Sequence, residues 1–533
     1  MKTVTETINK IKQNINPAKR SAFISVIIFG IVAHLTVMVS DWPNHDGVAS
    51  IYFDQNMITS GRWFLTVACG LSTYFTLPWI IGLLSLIYIG IAAMLIVDIT
   101  EVKNSLSAIL IGGMLATFPA LASTFAYVFT MDGYMIGLML AVGAVAVTKN
   151  YRFGWIAGAF MLAFSMGTYQ AYLPFAVILC MYGVILVETS AKTIKEKIFA
   201  SLRFLYMGVC GAGLYYVILQ VLLKIQGKEL DTYQGINGLE SGVQKSGIIN
   251  TIKYMYVDFA KFTIKSKVLT SNIYSVIAIG LLLVVLVYAF IYACKQNKWY
   301  KSVWMYITIV IFILALPLAT NIVLLVSPEV NYHLIMRYQW VLMVILPVAF
   351  ADRFTNVFAV KSKSTAAEKI SFGEKTKALM SWLLLVSGAV LVLSYILLDN
   401  VGYSNLSKKY ERTYAYCERL LSRIEQTEGY YQGIPIAMIG VVSTDQYPGV
   451  DVTVGVTDNM IGMYGDYLLY KNTDYELFME NYLGASLNLL SGDIIAEIYY
   501  SKEYMEMHSF PAEDSIKIVN GIMYIKTENM EEE

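Results

Sequence analysis

The residues best suited to chemistry lie in one short segment near the N-terminus, SDWPNHDGVASIYFDQNMITSGRW, residues 40–63. It contains three carboxylates, Asp41, Asp46 and Asp54, and one guanidinium, Arg62. A carboxylate can accept a proton from an attacking hydroxyl, and a guanidinium offers a planar set of donors to phosphate oxygens. The segment is therefore the first candidate for proton transfer and anion binding.

This segment directly follows the first apolar run of the chain. Ser21 to Val39 contains one titratable residue, His34, and is long enough to cross a hydrocarbon core of about 30 Å as a helix. The acids then fall at the boundary between membrane and water, where ionisable groups that face a cavity are functional candidates.

Composition predicts a polytopic membrane protein. Of 533 residues, 57% are hydrophobic and 15% are charged, the mean hydropathy is +0.56, and the formal net charge is zero. A soluble chain would carry about 25% charged residues. Balanced charge gives no reason to expect a nucleic acid partner. The five cysteines are far apart and show no CxxC spacing.

About eleven apolar runs are predicted to be transmembrane helices. They lie near residues 21–40, 77–97, 105–123, 127–147, 154–170, 171–189, 203–223, 272–293, 302–326, 335–351 and 379–398. Basic groups at Lys149 and Arg152, Lys192–Arg203, Lys295–Lys301 and Arg353–Lys377 all fall on the side of the N-terminal tail, residues 1–20. That side is therefore predicted to be cytoplasmic.

Two external loops, 41–76 and 224–270, interrupt the predicted membrane domain 21–398. The second holds seven lysines and four acids, but long loops obey the charge bias less strictly. Apolar residues recur in it at helical spacing, which predicts an interfacial helix. They are Ile248, Ile252, Met255, Phe259 and Phe262. Val48, Ile51, Tyr52 and Ile58 suggest another in the first loop.

The remaining residues, 399–533, are predicted to form an extracellular α/β domain. Ile434–Val442 reads as a strand, and SIKIV and MYIKT, separated by Asn520-Gly521, read as a hairpin. Tyr475–Leu490 has helical character. No catalytic motif is evident there, and a lid or acceptor-docking module is the expectation.

Many spans, an acid-rich first external loop and an external tail together suit a membrane glycosyltransferase of the GT-C class. Several motifs, in this order, resemble the GtrII-type glucosyltransferase family. They are NHDG followed by SGRW, AYVFTMDGYMIGLMLA, SMGTYQAYLPFAV and MRYQW. The resemblance covers roughly residues 20–400 and extends to the terminal FPAEDSIKIVNGIMYIKT.

The resemblance implies that a hexose, with glucose expected, passes from a polyprenyl-phosphate carrier to a cell-surface glycan outside the plasma membrane. The partners would be this lipid-linked donor, the glycan acceptor, membrane lipid, a donor-synthesising glycosyltransferase and a flippase. An inverting displacement needs a carboxylate for the hydroxyl proton and cations for the phosphate. The chain has no Gly-rich phosphate loop that would argue for a nucleotide.

We predict Asp46 as the base because it sits in the NHDG element, with Asp41 second. Asp46 could instead cap the following helix, and Asp41 could steer the acceptor or simply be solvated at the helix end. Asp54 is expected on a solvated face. His45 and His333 are expected to be ordinary interfacial histidines.

The substrate-binding candidates lie on the predicted external side. Arg62 is the favoured phosphate-binding cation, with snorkelling to headgroups as the alternative. Arg337 would either bind phosphate or pair with an acid, since an unpaired charge at that depth is costly. Asp132 has two interpretations: a buried, hydrogen-bonded acid, or a group that orients Arg337, Arg62 or the sugar hydroxyls. Tyr169 and Gln170 can bond the sugar, although a packing role is also open.

No obligatory metal or other cofactor is predicted, although Asp41 and Asp46 could share a divalent cation with phosphate. Two other classes fit the same topology. A transporter or flippase also needs many spans and intramembrane charge, but no convincing internal repeat is present. A non-catalytic surface-polymer assembly protein would need no reactive acid.

Overall fold

Long helices account for most of the chain in the computed structural model. The structure describes residues 3–6, 15–50, 54–70, 76–190, 193–231, 247–327, 330–358, 372–441, 457, 460–465 and 467–527. The predicted strand end at Val442 and residues Ile51 and Tyr52 of the first loop lie outside these ranges.

The helices follow the apolar runs of the sequence closely. Those that begin before residue 400 are α1 Pro17–Met38, α2 His45–Ser50, α3 Leu65–Ala68, α4 Pro78–Thr100, α5 Ser105–Thr117, α6 Pro119–Phe125, α7 Met131–Asn150, α8 Gly154–Thr168, α9 Leu173–Glu188, α10 Ile194–Gln226, α11 Ile248–Lys265, α12 Ile273–Gln296, α13 Val303–Thr320, α14 Val323–Val326, α15 Leu342–Thr355 and α16 Phe372–Gln426. Those nearer the C-terminus are α17 Asn472–Phe478, α18 Asp493–Tyr499 and α19 Lys502–Met505.

Local signals fix the ends of these helices. At the start of α10, Thr193 and Glu196 form a capping box, in which the Glu196 carboxylate accepts from the Thr193 backbone N at 2.9 Å. The same helix ends at Gly227, whose φ of 61° suits a residue without a Cβ. Short polar sequences therefore set the boundaries of a 33-residue apolar helix.

Eight helices in the described residues are long and apolar enough to cross a membrane, or nine if the bent pair α5 and α6 is one span. The prediction of a polytopic helical membrane fold is confirmed. About 20 residues are needed for an unassisted crossing. α8 and α15, which correspond to two of the eleven predicted spans, have only 15 and 14 residues and fall below this length.

The predicted span 105–123 is broken. Pro119 lacks a backbone N–H, and the axes of α5 and α6 differ by 48°. The break frees backbone carbonyls, which accept hydrogen bonds from side chains of other helices. Tyr338 donates its hydroxyl to Leu115 O at 2.5 Å, and His34 Nε2 lies 2.8 Å from Ala116 O.

Charged side chains tie the helices together at the end predicted to face the cytoplasm. Glu101 pairs with Lys149 at 3.0 Å and with Arg353 at 2.7 Å, and Lys19 pairs with Asp98. Each partner comes from a different part of the chain, so the network links α1, α4, α7 and α15.

Asp352 of α15 also links distant parts of the chain. It is only 2% exposed, and its carboxylate accepts from the backbone N of Lys103 at 2.8 Å and from Ser107 Oγ at 2.9 Å. The short loop between α4 and α5 is therefore held by an acid about 250 residues later in the chain.

The chain divides into two units. The first comprises Met1–Ser40 and Asp54–Asn400, and the second comprises Asp41–Phe53 and Val401–Glu533. The C-terminal part of the second unit begins at Val401, and the predicted domain boundary near residue 399 stays a prediction. The sequence, however, assigned the whole loop 41–76 to the membrane domain, whereas residues 41–53 group with the tail.

A four-stranded sheet organises the second unit. Its strands are β1 Pro435–Ile439, β2 Asn488–Leu489, β3 Ile516–Val519 and β4 Ile522–Lys526, in the order β2-β1-β4-β3. β1 is parallel to β2 and β4, and β3 and β4 form the predicted antiparallel hairpin. Its turn residues Asn520 and Gly521 both have positive φ, as a type I′ turn requires.

Both faces of this sheet are covered. Ile436 and Met438 belong to one apolar cluster, and the alternating Ala437 and Ile439 belong to another. The predicted helical run Tyr475–Leu490 is helical only in its first part, because Gly484 at φ 68° ends the helical turn before β2. The α/β prediction for this region is confirmed.

Candidate active site

The loop that carries Arg62 is a tight turn in the first unit. The backbone N of Arg62 donates to Met57 O at 3.0 Å, and the intervening Ile58–Ser60 forms one turn of 3₁₀ helix. Gly61 closes the turn at φ 76°. A Cβ at this position would lie 2.5 Å from the Tyr215 hydroxyl, so glycine is required for two reasons.

Gln170 and Tyr215 hold this turn in place. Gln170 Nε2 donates to Ser60 O at 3.1 Å and to Tyr215 Oη at 3.0 Å, and Tyr215 Oη donates to Gly61 O at 3.1 Å. Both side chains are buried. The structure therefore gives Gln170 a role in holding the Arg62 loop, while contact with a sugar stays a prediction.

Trp63 anchors the other side of the loop. Its ring is 8% exposed, lies 5.2 Å from the Phe164 ring, and covers Gly167 at the end of α8. The neighbouring Phe64 N donates to Gly167 O at 2.7 Å. Trp63 is thus a packing residue of the helix bundle.

The Arg62 side chain is placed against two tyrosines. Its Nη1 donates to Tyr134 Oη at 3.3 Å, and its Cζ lies 4.9 Å from the centre of the Tyr169 ring. The Tyr134 and Tyr169 rings stack at 4.7 Å. Aromatic faces attract a guanidinium and limit its rotation. The arrangement presents a pre-oriented cation beside a phenol, which suits oxygens of a phosphate.

Asp132 lies at the same helix end as Tyr134. It is 1% exposed in the first turn of α7, and its Oδ1 accepts from the backbone N of Gly133 at 2.8 Å. An acid in the first turn interacts favourably with the helix dipole. Whether Asp132 also orients Arg62 or a sugar stays a prediction.

Arg337 pairs with an acid that the sequence had not singled out. Its Nη1 and Nη2 donate to the two carboxylate oxygens of Asp258 in α11 at 2.7 and 2.8 Å. Its Nε donates to Tyr332 O at 3.2 Å, and its Cζ lies 3.8 Å from the Tyr332 ring centre. Arg337 was expected either to bind phosphate or to pair with an acid, and the structure shows the pair with an acid. Phosphate binding by Arg337 stays a prediction.

The Arg337 pair docks α11 on the bundle. Phe259 and Phe262 of α11 lie against the Trp340 ring at 5.0 and 4.6 Å. His333 is half-buried nearby, and burial together with the Arg337 charge lowers the pKa of its imidazole. The predicted helix is confirmed, and its apolar side faces protein at these residues.

The carboxylates Asp41 and Asp46 belong to the second unit and are exposed. Asp46 is not the cap of α2, because Asn44 Oδ1 accepts from the Gly47 backbone N at 2.6 Å. Asp46 lies in the first turn, and its Oδ2 is 3.5 Å from His45 Nε2. The capping alternative is therefore excluded for Asp46.

Asp54 differs from its prediction of a solvated face. It lies in the first unit and is partly buried, and its Oδ1 has no hydrogen-bond partner among the residues that the structure describes. Within those residues, no three His, Cys, Asp or Glu side chains are grouped closely enough to hold a metal ion.

Sequence reasoning missed Asp258, Tyr134 and Tyr215. Asp258 had a signal, because it lies three residues after Met255 and four before Phe262, within the apolar stripe of α11. An acid in such a stripe indicates a buried basic partner. The two tyrosines had no comparable signal in a chain with 39 tyrosines.

The membrane-length helices define a polytopic helical membrane protein. The chain belongs to the GtrII glucosyltransferase family, since the family's sequence pattern, described as Glucosyl transferase GtrII, matches residues 35–349. It is therefore a glycosyltransferase. The match includes every candidate site residue and ends before α16. No curated protein and no solved structure matched the chain.

Proposed function

We propose that this protein transfers glucose from a polyprenyl-phosphate carrier to a cell-surface glycan at the external face of the plasma membrane. The observation that carries the proposal is the Arg62 guanidinium, which donates to the Tyr134 hydroxyl and lies over the Tyr169 ring, in a family that transfers glucosyl groups. A cation fixed in this way stabilises the charge that develops on a leaving phosphate.

The reaction is a single inverting displacement. The acceptor hydroxyl oxygen bonds to the anomeric carbon, while the bond from that carbon to the phosphate oxygen breaks. The hydroxyl proton passes to the Asp46 carboxylate, with Asp41 as the second candidate, and polyprenyl phosphate leaves with its charge countered by Arg62. Removal of a general base typically lowers a rate by about 10²- to 10⁴-fold.

An apolar cavity in the first unit supports a lipid-linked sugar donor. It has a volume of about 450 Å³ and lies between α9, α12, α13 and α15. Its lining includes Tyr182, Phe290, Phe312, Leu346 and Phe350. Lipid-like chains need such a surface, whereas a nucleotide needs polar and charged partners.

Charge supports the external location. Arg152, Lys197, Lys298 and Arg353 all lie at the helix ends on the N-terminal side of the bundle. Under the positive-inside bias, these basic residues support our proposal that Arg62 lies at the opposite, outer end. The acceptor would be an O-antigen, a teichoic acid or another wall polymer.

The test is glucosyl transfer by purified protein from polyprenyl-phosphate glucose. We expect Asp46→Asn to lower kcat by at least 100-fold. Asp493→Asn is the matched control, because Asp493 is also an exposed acid in the first turn of a short helix. Asp41→Asn and Asp54→Asn are further arms. If Asp46→Asn kept full activity and Asp54→Asn lost activity, the role of general base would be reassigned from Asp46 to Asp54.

Arg62→Lys tests the phosphate-binding role. Lysine keeps the charge but loses the planar donor set and the stacking on Tyr169, so transfer should fall by roughly 10- to 100-fold. Arg152→Lys is the control at the other end of the bundle. Normal transfer by Arg62→Lys, or flipping of the lipid-linked sugar without transfer, would refute the proposal. Transfer in the presence of EDTA measures any need for a divalent cation.

A further inference from the structure

The helix that carries Asp46 is built into the core of the second unit. Val48, one turn after Asn44, is 1% exposed and packs in the same apolar cluster as Tyr416, Tyr475 and Phe478. Asn44, which caps this helix, is fully buried. A six-residue helix has little stability of its own, so the tail domain supplies the contacts that keep it folded.

Asp46 itself remains open to a substrate. Its side chain is 56% exposed, while that of His45 is 17% exposed and lies between Asp46 and Tyr470. The His45 ring is 3.5 Å from Asp46 Oδ2 through its Nε2, and its centre is 4.7 Å from the centre of the Tyr470 ring. The order Tyr470, His45, Asp46 is therefore a continuous contact chain.

Tyr470 is in turn fixed by groups of the same unit. Its backbone N donates to Asp474 Oδ2 at 2.8 Å. The buried Lys409 donates its Nζ to Tyr464 O at 2.8 Å and lies 5.6 Å from the Tyr470 ring centre. Asp474 thus fixes the backbone of Tyr470, and the partly exposed ring lies beside His45 and Lys409.

We propose that Tyr470 is a positioning residue for glucosyl transfer, which holds His45 and, through it, the Asp46 carboxylate that accepts the proton of the acceptor hydroxyl. This inference rests on the proposed function. Within the second unit, the tail domain would then both fold the acid-bearing helix and orient its acid. A misplacement of about 1 Å in a reacting group can cost roughly 10²-fold in rate.

The experiment is steady-state transfer by the full-length protein with Tyr470 changed to Leu and to Phe. Tyr470→Leu removes the ring beneath His45, so kcat should fall by roughly 10- to 100-fold, while KM for the lipid-linked sugar stays unchanged. Tyr470→Phe keeps the ring and should restore kcat to within about threefold. Tyr499→Leu is the control, since Tyr499 packs against Tyr504 in the other apolar cluster.

A second pair of variants keeps the proposal testable if Tyr470→Leu fails to fold. His45→Leu breaks the same chain at its middle, and the double variant should lose no more activity than either single variant, because both act on one carboxylate. Additive losses would overturn the proposal. So would full activity of Tyr470→Leu, or equal loss in the Leu and Phe variants.

The two proposals fail in different ways. If Asp46→Asn is inactive and Tyr470→Leu is fully active, the positioning role of Tyr470 is wrong, and the assignment of Asp46 as the general base is retained. If Asp46→Asn is fully active, the base assignment is wrong, and the positioning role is wrong with it. Size-exclusion elution like that of the unmodified protein establishes that each variant is folded.

Discussion

Replacement of Asp258 by Asn should release helix α11 from the bundle. The Arg337 and Asp258 side chains are 9% and 11% exposed and share two short hydrogen bonds. Asparagine leaves the guanidinium buried without its countercharge, although the Tyr332 ring still covers it at 3.8 Å. Breaking a buried pair in this way costs about 3–5 kcal/mol.

Amide hydrogen exchange is the suitable measurement, because the protein has two units and a single unfolding free energy is not well defined. A tenfold change in an equilibrium corresponds to about 1.4 kcal/mol, so the opening equilibrium of α11 should rise by roughly 10²- to 10³·⁵-fold. The amides of α11 should lose protection, and those of α4 should not.

Two controls decide the interpretation. Asp258→Leu with Arg337→Met replaces both charges by apolar groups and should recover most of the protection. Glu506→Gln breaks the pair with Lys502, whose side chains are 64% and 83% exposed, and should change local stability by less than about 1 kcal/mol. The reasoning would be refuted if Asp258→Asn raised the opening equilibrium of α11 by less than tenfold. It would also be refuted if the double variant protected the α11 amides no better than Asp258→Asn does.

Three further predictions concern the same unit. Gly61→Ala should lower transfer at least tenfold and destabilise the Arg62 loop by about 1–3 kcal/mol, whereas Gly213→Ala, whose Cβ would meet nothing within 4 Å, should be neutral or slightly stabilising in thermal unfolding. Ile309→Phe should fill part of the apolar cavity and raise KM for long-chain lipid donors but not for short ones, and Ile307→Phe, exposed on the same helix, should do neither. The pKa of the His333 imidazole is lower in the folded protein than its ordinary value of 6.5, so the folded protein favours the neutral imidazole. The folded protein is therefore destabilised as the pH falls below 6.5. His333→Gln should abolish this part of the pH dependence of thermal unfolding.

Much of the fold follows from the sequence because apolar length and turn chemistry act locally. The runs that became α1, α4 and α12 were set by composition alone, and Asn520-Gly521 fixed the hairpin of the tail. The short lengths of α8 and α15 were not predicted, because hydropathy does not reveal how early a protein-buried helix can end. The break at Pro119 depends on side chains from distant helices that satisfy the freed carbonyls.

The candidate site was predictable only in part. Arg62 could be found because a charge beside an apolar run is conspicuous, but its partners Tyr134 and Tyr169 depend on how α7 and α8 pack. The grouping of Asp46 with the tail could not be read from the sequence. Nothing local to residues 41–53 indicates that Val48 enters a core formed by residues between Tyr416 and Ile525.

The contact between Asp352 and the loop at Lys103 has a consequence for biosynthesis. The backbone groups of that loop acquire their partner only after another 249 residues have been made. At translation rates of about 5–20 residues per second, the wait is roughly 12–50 s. During that time the newly inserted hairpin of α4 and α5 must rely on water or on the insertion machinery. The first effect of an amino-acid change at Asp352 would therefore be poor assembly and degradation of the nascent protein.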